Sequence, residues 1–541
     1  MSRHHVRLTR LGSGLAALAL VGGEVRSQQR GVSPADDRAT TPVPLLIGSF
    51  PRVRVPAGNP MTPEKIQLGK ALFFEEQLSS DDTVACATCH LPDAGGGDPR
   101  AAASVRAPGD DGRMSTLDDE FGSFGVVAQD RSGNFEYSPT FGSGRQVTGR
   151  GSPSVIGAAF FNTQFWDSRA RPEFRDLDGN IVLAQFASLE SQAVGPPVSA
   201  VEMSHAQRDW GQITAKLARV RPLFLASDLP AALEEFIGSE TSYSPLFERV
   251  FGDAAITRER IAMAIATYER TLVADQTPFD LGTMTPQEQL GFDAFNRARC
   301  QTCHPASNGI FSDGKLQTID LPNHQRAVKT PTLRNAGLKE RFMSSGQFPS
   351  IALVLQHYQQ IGMFTPATGE VGALRAFLEH ALTDPRVAAR QPPFDRPTLA
   401  SERSPTGSNL FGVATRGTDR ITPIILADTP AFLGNAAFKI GLGASLGGTE
   451  AALFISTRRA DPGTTLLGVP LAVAPPFELY KQFIVPRTLP GRGVATFRMT
   501  LPSSTSVLGQ DFYAQWFIRD PGAANGISAT RAAAFQVFGR P

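Results

Sequence analysis

Cys86-Ala87-Thr88-Cys89-His90 and Cys300-Gln301-Thr302-Cys303-His304 decide the reading of this chain, and between them they hold all four of its cysteines. Each is C-x-x-C-H. At that spacing two thiols can form thioethers to the vinyl groups of one c-type haem, and the following His sits beneath the iron as its ligand. Other uses of paired cysteines fit less well. A redox disulfide does not require a following histidine, twice. A zinc ion shared by four thiols would leave both histidines surplus. A structural disulfide is open to an exported chain, but explains neither the histidines nor the repetition. Two covalently bound c-type haems are expected, held by Cys86, Cys89, Cys300 and Cys303, with His90 and His304 as proximal ligands.

Outward from the motifs the repetition continues. Thr62-Pro63-Glu64-Lys65-Ile66-Gln67-Leu68-Gly69 precedes the first, with Phe73 following. Thr285-Pro286-Gln287-Glu288-Gln289-Leu290-Gly291 precedes the second, with Phe295 following. In both, Thr suits a helix N-cap and Pro the first helical position. Two related haem domains in tandem are expected, 56–275 and 276–400. Ile261, Ile265, Tyr268 and Leu272 form one apolar stripe, which predicts a core helix within 255–273. Further helices are expected at about 350–361 and 369–381. The Gly- and Asp-rich stretch Asp93 to Gly151 has no helical period and reads as a long loop covering the first haem.

After Pro405 the pattern changes to period two. Phe497, Met499 and Leu501 alternate with Thr496, Arg498 and Thr500. Phe512, Ala514, Trp516 and Ile518 alternate with Tyr513, Gln515, Phe517 and Arg519. Residues 405–541 are expected to form a β-sandwich-like domain, read as a packing or docking module. The fold class expected is therefore mainly α, with two tandem c-type cytochrome domains followed by an all-β domain.

Composition bounds the partners. The chain has 541 residues, 52 Lys plus Arg against 51 Asp plus Glu, and a net charge of +1. No excess positive charge exists to bind nucleic acid. No apolar run approaches the ~20 residues of a membrane helix, so an integral membrane protein is not expected. Residues 1–27 read as a signal peptide: a basic start, then the apolar Leu15 to Val21, then Val25-Arg26-Ser27. An uncleaved anchor stays open. Residues 28–55 read as a linker.

From about 60 to 390 the chain resembles the bacterial di-haem cytochrome c peroxidases and their MauG-like relatives. The resemblance rests on Leu68 to Phe74 before the first haem motif and on Phe165-Trp166-Asp167-Ser168-Arg169-Ala170. It continues through Gln192-Ala193 and Val201-Glu202-Met203, then Glu269 to Leu272 with Pro278-Phe279-Asp280, and Thr330 to Asn335. It implies that Glu202 is the acid–base carboxylate beside the open face of the first haem. It implies that Trp166 is the electron stepping stone between haems. The family's histidine that caps the first iron has no counterpart, since none lies between His90 and His205. That departure leans towards the MauG-like branch. His205 reads as a surface residue. For the sixth ligand of the second haem, counting within the family's pattern lands on Tyr358, with Met343 and Met363 as alternatives. A Tyr ligand lowers the haem potential and a Met ligand raises it.

The family's inter-domain calcium is put in doubt. Its Asn ligand falls at Gly151 within Arg150-Gly151-Ser152-Pro153, and its backbone pair falls at Lys339 and Arg341. The function expected is an exported, periplasmic di-haem peroxidase. It reduces hydrogen peroxide to water with electrons from a small cytochrome c or cupredoxin. The alternatives are a MauG-like oxidase acting on a protein or organic substrate, or a plain di-haem electron carrier. A homodimer is left open.

Overall fold

Both repeats form the helices their sequences call for. Thr62 caps the helix Pro63–Phe73, its hydroxyl accepting from the Lys65 N–H at 3.2 Å. Thr285 caps Pro286–Arg297, and the Glu288 carboxylate accepts from the Thr285 N–H at 2.7 Å, which closes a capping box. The glycine of each Leu-Gly pair has one shared use. A Cβ on Gly69 would lie 2.6 Å from the carbonyl carbon of Ala264, in the helix Arg258–Glu269. A Cβ on Gly291 would lie 2.7 Å from that of Ala373, in the helix Glu370–Ala376. Only glycine permits so close an approach, so a repeated sequence makes a repeated helix crossing.

The protein is described here from a computed structural model, which covers residues 50–102, 106–109, 111–319, 327–403, 409–484 and 489–539. The signal peptide and most of the linker read from the sequence lie outside these residues. Around the first crossing, Leu68, Leu72 and Phe73 pack with Ile261, Ile265, Tyr268 and Leu272, each no more than 1% exposed. Around the second, the rings of Phe279, Phe292, Phe295, Phe311 and Phe377 lie 5.1–6.1 Å apart in successive edge and tilted contacts. The later helices run Ile351–Gln360 and Glu370–Ala376, the latter continuing into a π-turn, Phe377–Ala381.

The chain is not mainly α, contrary to the sequence expectation. Helix makes up 28% of it and strand 19%. Two causes act together. Among the described residues no α-helix occurs between Leu91 and Ala187. That span holds 3-10 turns and two short antiparallel ladders, Phe124–Val127 with Arg145–Val147 and Phe174–Arg175 with Ile181–Leu183. Its polar side chains satisfy the backbone locally instead. The Asp130 carboxylate, for example, accepts from the N–H groups of Ser132 and Asn134 at 2.8 and 2.9 Å. The second cause is the C-terminal part, which is built from strands.

Most of those strands form two antiparallel sheets, beside the small ladder Thr465–Leu466 with Val469–Pro470. One holds Phe438–Ser445 between Gly493–Met499 and Ile424–Leu426. The larger centres on Glu450–Ser456 and Asp511–Arg519. Phe438, Ile440 and Leu442 of the first meet Leu453, Phe512, Ala514, Trp516 and Ile518 of the second in one core. Trp516 Nε1 donates across it to the Gly441 carbonyl at 3.0 Å. The alternating residues Tyr513 and Phe517 do not face water, however. They enter a second core with Phe454, Val469 and Val473, so the larger sheet is covered on both faces.

The smaller sheet is fastened to the long loop of the haem half. Lys439 Nζ donates to Gln129 Oε1 and the Gly133 carbonyl, both at 2.8 Å, and is 3% exposed. Gln129 in turn donates to Asp81 Oδ2 at 3.0 Å, just ahead of the first cysteine motif. Thr496 Oγ1 accepts from the Phe135 N–H at 2.8 Å. Val127 and Phe135 share an apolar cluster with Leu426 and Val494. Among the described residues no helix is long and apolar enough to cross a membrane.

Candidate functional site: two cysteine motifs and a walled cavity

Cys86–Cys89 is a single helical turn, closed by the Ala85 N–H donating to Thr88 Oγ1 at 2.7 Å. His90 Nδ1 lies 3.0 Å from the Pro153 carbonyl. A carbonyl only accepts, so Nδ1 carries the proton and Nε2 keeps its lone pair. The second motif repeats the arrangement. Cys300–Thr302 is a 3-10 turn, and His304 Nδ1 lies 2.8 Å from the Phe311 carbonyl. Burial holds both imidazoles below their ordinary pKa, in the neutral form that ligates a metal.

The four cysteines are free of disulfides. No group of three or more His, Cys, Asp or Glu that could hold a metal ion occurs among the described residues, so the two pairs do not combine into one zinc site. Burial raises all four thiols, Cys89 to about 12 and Cys300 to about 11. They are neutral thiols, not activated nucleophiles. Paired thiols and a histidine oriented with a proton-free Nε2 fit a covalently bound haem at each motif, and a cavity adjoins the first.

At the first motif that cavity measures about 450 Å³. Its wall carries Cys86, Cys89, His90, Trp166 and Glu202 together, five of the residues named from the sequence. Glu202 comes in on a helical turn, with its N–H and those of Met203 and Ser204 donating to the Ser199 carbonyl at 2.9–3.2 Å. Gly125 makes room for that turn: a Cβ there would lie 2.8 Å from the Val201 carbonyl carbon and 2.9 Å from Glu202 Cα. Burial raises the Glu202 carboxyl above the ordinary range, while the Ser199 hydroxyl and the Arg169 charge pull it back. A carboxyl placed so can both accept and return a proton. Gly125→Ala is therefore expected to displace Glu202 and slow any turnover that uses it as an acid–base group about tenfold or more with haem content unchanged, measured by steady-state kinetics and the Soret band.

Trp166 is 7% exposed and sits in the tight turn closed by Gln164 N–H to the Ala170 carbonyl at 3.0 Å. Its Nε1 donates to the Gly151 carbonyl at 2.7 Å, while its own carbonyl accepts from Lys329 N–H at 2.7 Å. The indole thus faces the first cavity and its main chain is tied to the segment Ala327–Lys329 beside the second motif. Arg169 stacks on Phe165 at 3.5 Å.

At the second motif, the Tyr358 phenol is raised by burial, with a smaller contribution from the nearby Cys300 and Cys303 sulfurs. Met343 sits elsewhere, on a left-handed turn beside Gly97, Asp98 and Gly151. Met363 is 57% exposed. His205 lines an open cleft with Arg208 and Asn435, apart from the haem cavity. Where the resemblance would put calcium, Lys339 extends its Nζ to 3.5 Å from the Ser152 carbonyl, and burial lowers it to about 8. An ammonium group there does not fit a bound cation.

The sequence reading missed two buried groups. His357 is 5% exposed and its Nε2 has no hydrogen-bond partner. Glu269 lines the first cavity at 4% exposure, and burial raises it to about 8. Local sequence offers no signal for either, because burial here is set by distant segments.

Three carboxyls, Glu76 and Glu120 at about 7 and Glu269 at about 8, are held protonated by burial. In the unfolded chain each ionises near 4.5. The folded state therefore binds more protons through this window, and raising the pH removes stability. The melting temperature is expected to fall steadily from pH 5 to pH 8. A flat or rising profile would contradict it.

Residues 63–287 match the di-haem cytochrome c peroxidase family. The methylamine utilization protein MauG of Methylophilus methylotrophus is 28% identical over 331 residues, which are 57% of this chain and 76% of that protein. The cytochrome c peroxidase Ccp of Escherichia coli K12 is 26% identical, over 61% of this chain and 60% of that protein. The cytochrome c551 peroxidase of Pseudomonas aeruginosa is also 26% identical, over 64% and 86%.

Proposed function

We propose that this chain, which belongs to the di-haem cytochrome c peroxidase and MauG family and carries an added β domain, reduces hydrogen peroxide to water with electrons from a small cytochrome c or cupredoxin. It is a peroxidase-like oxidoreductase with two covalently bound c-type haems. The observation that carries the substrate is the single cavity that sets Glu202 on the same wall as Cys86, Cys89 and His90. The haem attached there supplies the redox-active metal that binds peroxide. Glu202 takes a proton from the nearer peroxide oxygen and returns it to the farther one, which leaves as water. The balance is H₂O₂ + 2 e⁻ + 2 H⁺ → 2 H₂O. Trp166 lies on the path by which electrons enter the cavity, and residues 1–27 direct the chain to the periplasm.

A second reading is a MauG-like oxidase that draws electrons from a protein or organic substrate. The position of Tyr358 in the family's sixth-ligand pattern favours it, since a phenolate ligand lowers the potential of the second haem. Both readings require one open iron. EPR of the oxidised holoprotein is expected to show a high-spin ferric signal beside a low-spin one, with the high-spin signal lost on adding peroxide. Two low-spin signals untouched by peroxide, before and after half-reduction, would leave only an electron carrier. Fast turnover with a reduced cytochrome c or cupredoxin supports the peroxidase, and its absence despite loss of the high-spin signal supports the oxidase.

A further inference from the structure

Glu269 ends the helix Arg258–Glu269 and faces the first cavity with Phe73, Cys86 and Ile265. It is 4% exposed, and its Oε2 has no hydrogen-bond partner. Its sequence neighbour Arg270 offsets that burial only in part and gives Oε2 no hydrogen bond. That guanidinium clasps Glu190 through two bonds of 2.9 and 2.8 Å, with both side chains no more than 1% exposed, and donates a third to the Phe186 carbonyl at 3.0 Å. Two buried carboxyls thus compete for one cation, and Glu190 holds it. From the helix Pro63–Phe73, Lys65 is turned to Asn59 and Pro60, and Lys70 to Asp395. Cys86 and Tyr268 lie near Glu269, and Glu202, His90, Asp167, Arg150 and Arg169 share its cavity wall. None of them donates a hydrogen bond to its Oε2.

We propose that Glu269 is the redox-linked proton site of the first haem, taking up a proton as an electron enters the cavity. An electron delivered to ferric iron in a low-dielectric cavity adds a negative charge, and protonating an uncompensated carboxylate nearby cancels it. The step balances. A reduced donor protein gives one electron to the iron, water gives one proton to the Glu269 carboxylate, and only that O–H bond forms. Below the carboxyl's own pKa, raised by burial to about 8, Glu269 is protonated in both redox states and the coupling vanishes. The proposal rests on haem attachment at Cys86 and Cys89, and not on peroxide being the substrate.

The test is a spectroelectrochemical titration of the holoprotein between pH 6 and pH 10, with no peroxide present. One of the two midpoint potentials is expected to be level on the acid side. Above its inflection it falls towards about 59 mV per pH unit, the one-electron equivalent of a tenfold change in proton concentration. In Glu269→Gln that slope disappears, and in Glu269→Asp it persists with a displaced inflection. In Glu202→Gln it is retained. A wild-type potential level across the range, a slope unchanged in Glu269→Gln, or a slope lost in Glu202→Gln instead would each overturn the proposal. If Glu269→Gln fails to load haem, the Glu269→Asp titration decides: an inflection that stays where the wild type has it overturns the assignment.

Discussion

Glu202→Gln lowers peroxide turnover by about 10²- to 10⁴-fold, the span over which a positioned acid–base group contributes. The substitution keeps size and shape, so the turn at Ser199 and the cavity wall persist. What it removes is the ability to accept a proton and give it back. Four other polar side chains on that wall cannot replace it. Gln164 and Gln192 are amides, and Arg150 and Arg169 are permanent cations at neutral pH. The loss is expected in kcat, with haem content and resting spectra unchanged, because the proton moves only as the O–O bond breaks. Steady-state oxidation of a reduced small cytochrome c by peroxide measures it. A fall of less than tenfold would remove Glu202 from the acid–base role.

Gly69→Val and Gly291→Val are expected to prevent either half from folding around its haem. In each case the added carbon points at the backbone of a crossing helix, which cannot swing aside as a side-chain tip can. Overpacking of this kind costs about 3 kcal/mol, and more where backbone must move. Gly69 has a second consequence, since the helix it would push away, Arg258–Glu269, bears Ile265 and Glu269 on the cavity wall. Gly69→Ala is expected to fold with a lowered melting temperature and altered haem spectra. Gly372→Ala is the contrast. It lies in the helix Glu370–Ala376 with nothing within 4 Å of an added Cβ, so it is expected to stabilise by up to about 1 kcal/mol. Equal effects at Gly69 and Gly372 would mean that the crossing does not depend on the missing side chain.

These glycines show what could be read from the sequence. The Thr-Pro starts, the Leu-Gly pairs and the cysteine motifs are local patterns, and local chemistry decides them. Cys86, Cys89, His90, Trp166 and Glu202 meet at one cavity because short motifs place each on its own turn. Mainly α overstated the helix because the loop read at Asp93 to Gly151 runs on without α-helix to Ala187, among the described residues, and the strands expected after Pro405 bring strand to 19% against 28% helix. Period two in Asp511–Arg519 identifies two faces without saying what covers the second, so the second core behind Tyr513 and Phe517 was not legible. Glu269 was quoted only as part of a motif. Its unpartnered Oε2 goes with Arg270 turning its hydrogen bonds to Glu190, 80 residues earlier in the chain, and no local pattern records that choice.

The Lys439 bond to Gln129 joins residues 310 positions apart. Ribosomes add about 5–20 residues per second, so about 15–60 s separate the making of the two ends. For that interval the loop that walls the first cavity exists without its fastening, and Cys86 and Cys89 are already made. Thioether formation is a one-way step that needs a bulky porphyrin to reach both thiols. Chain order therefore fixes an order of closure: until Phe438–Ser445 has been made, the loop that walls the first cavity lacks this fastening.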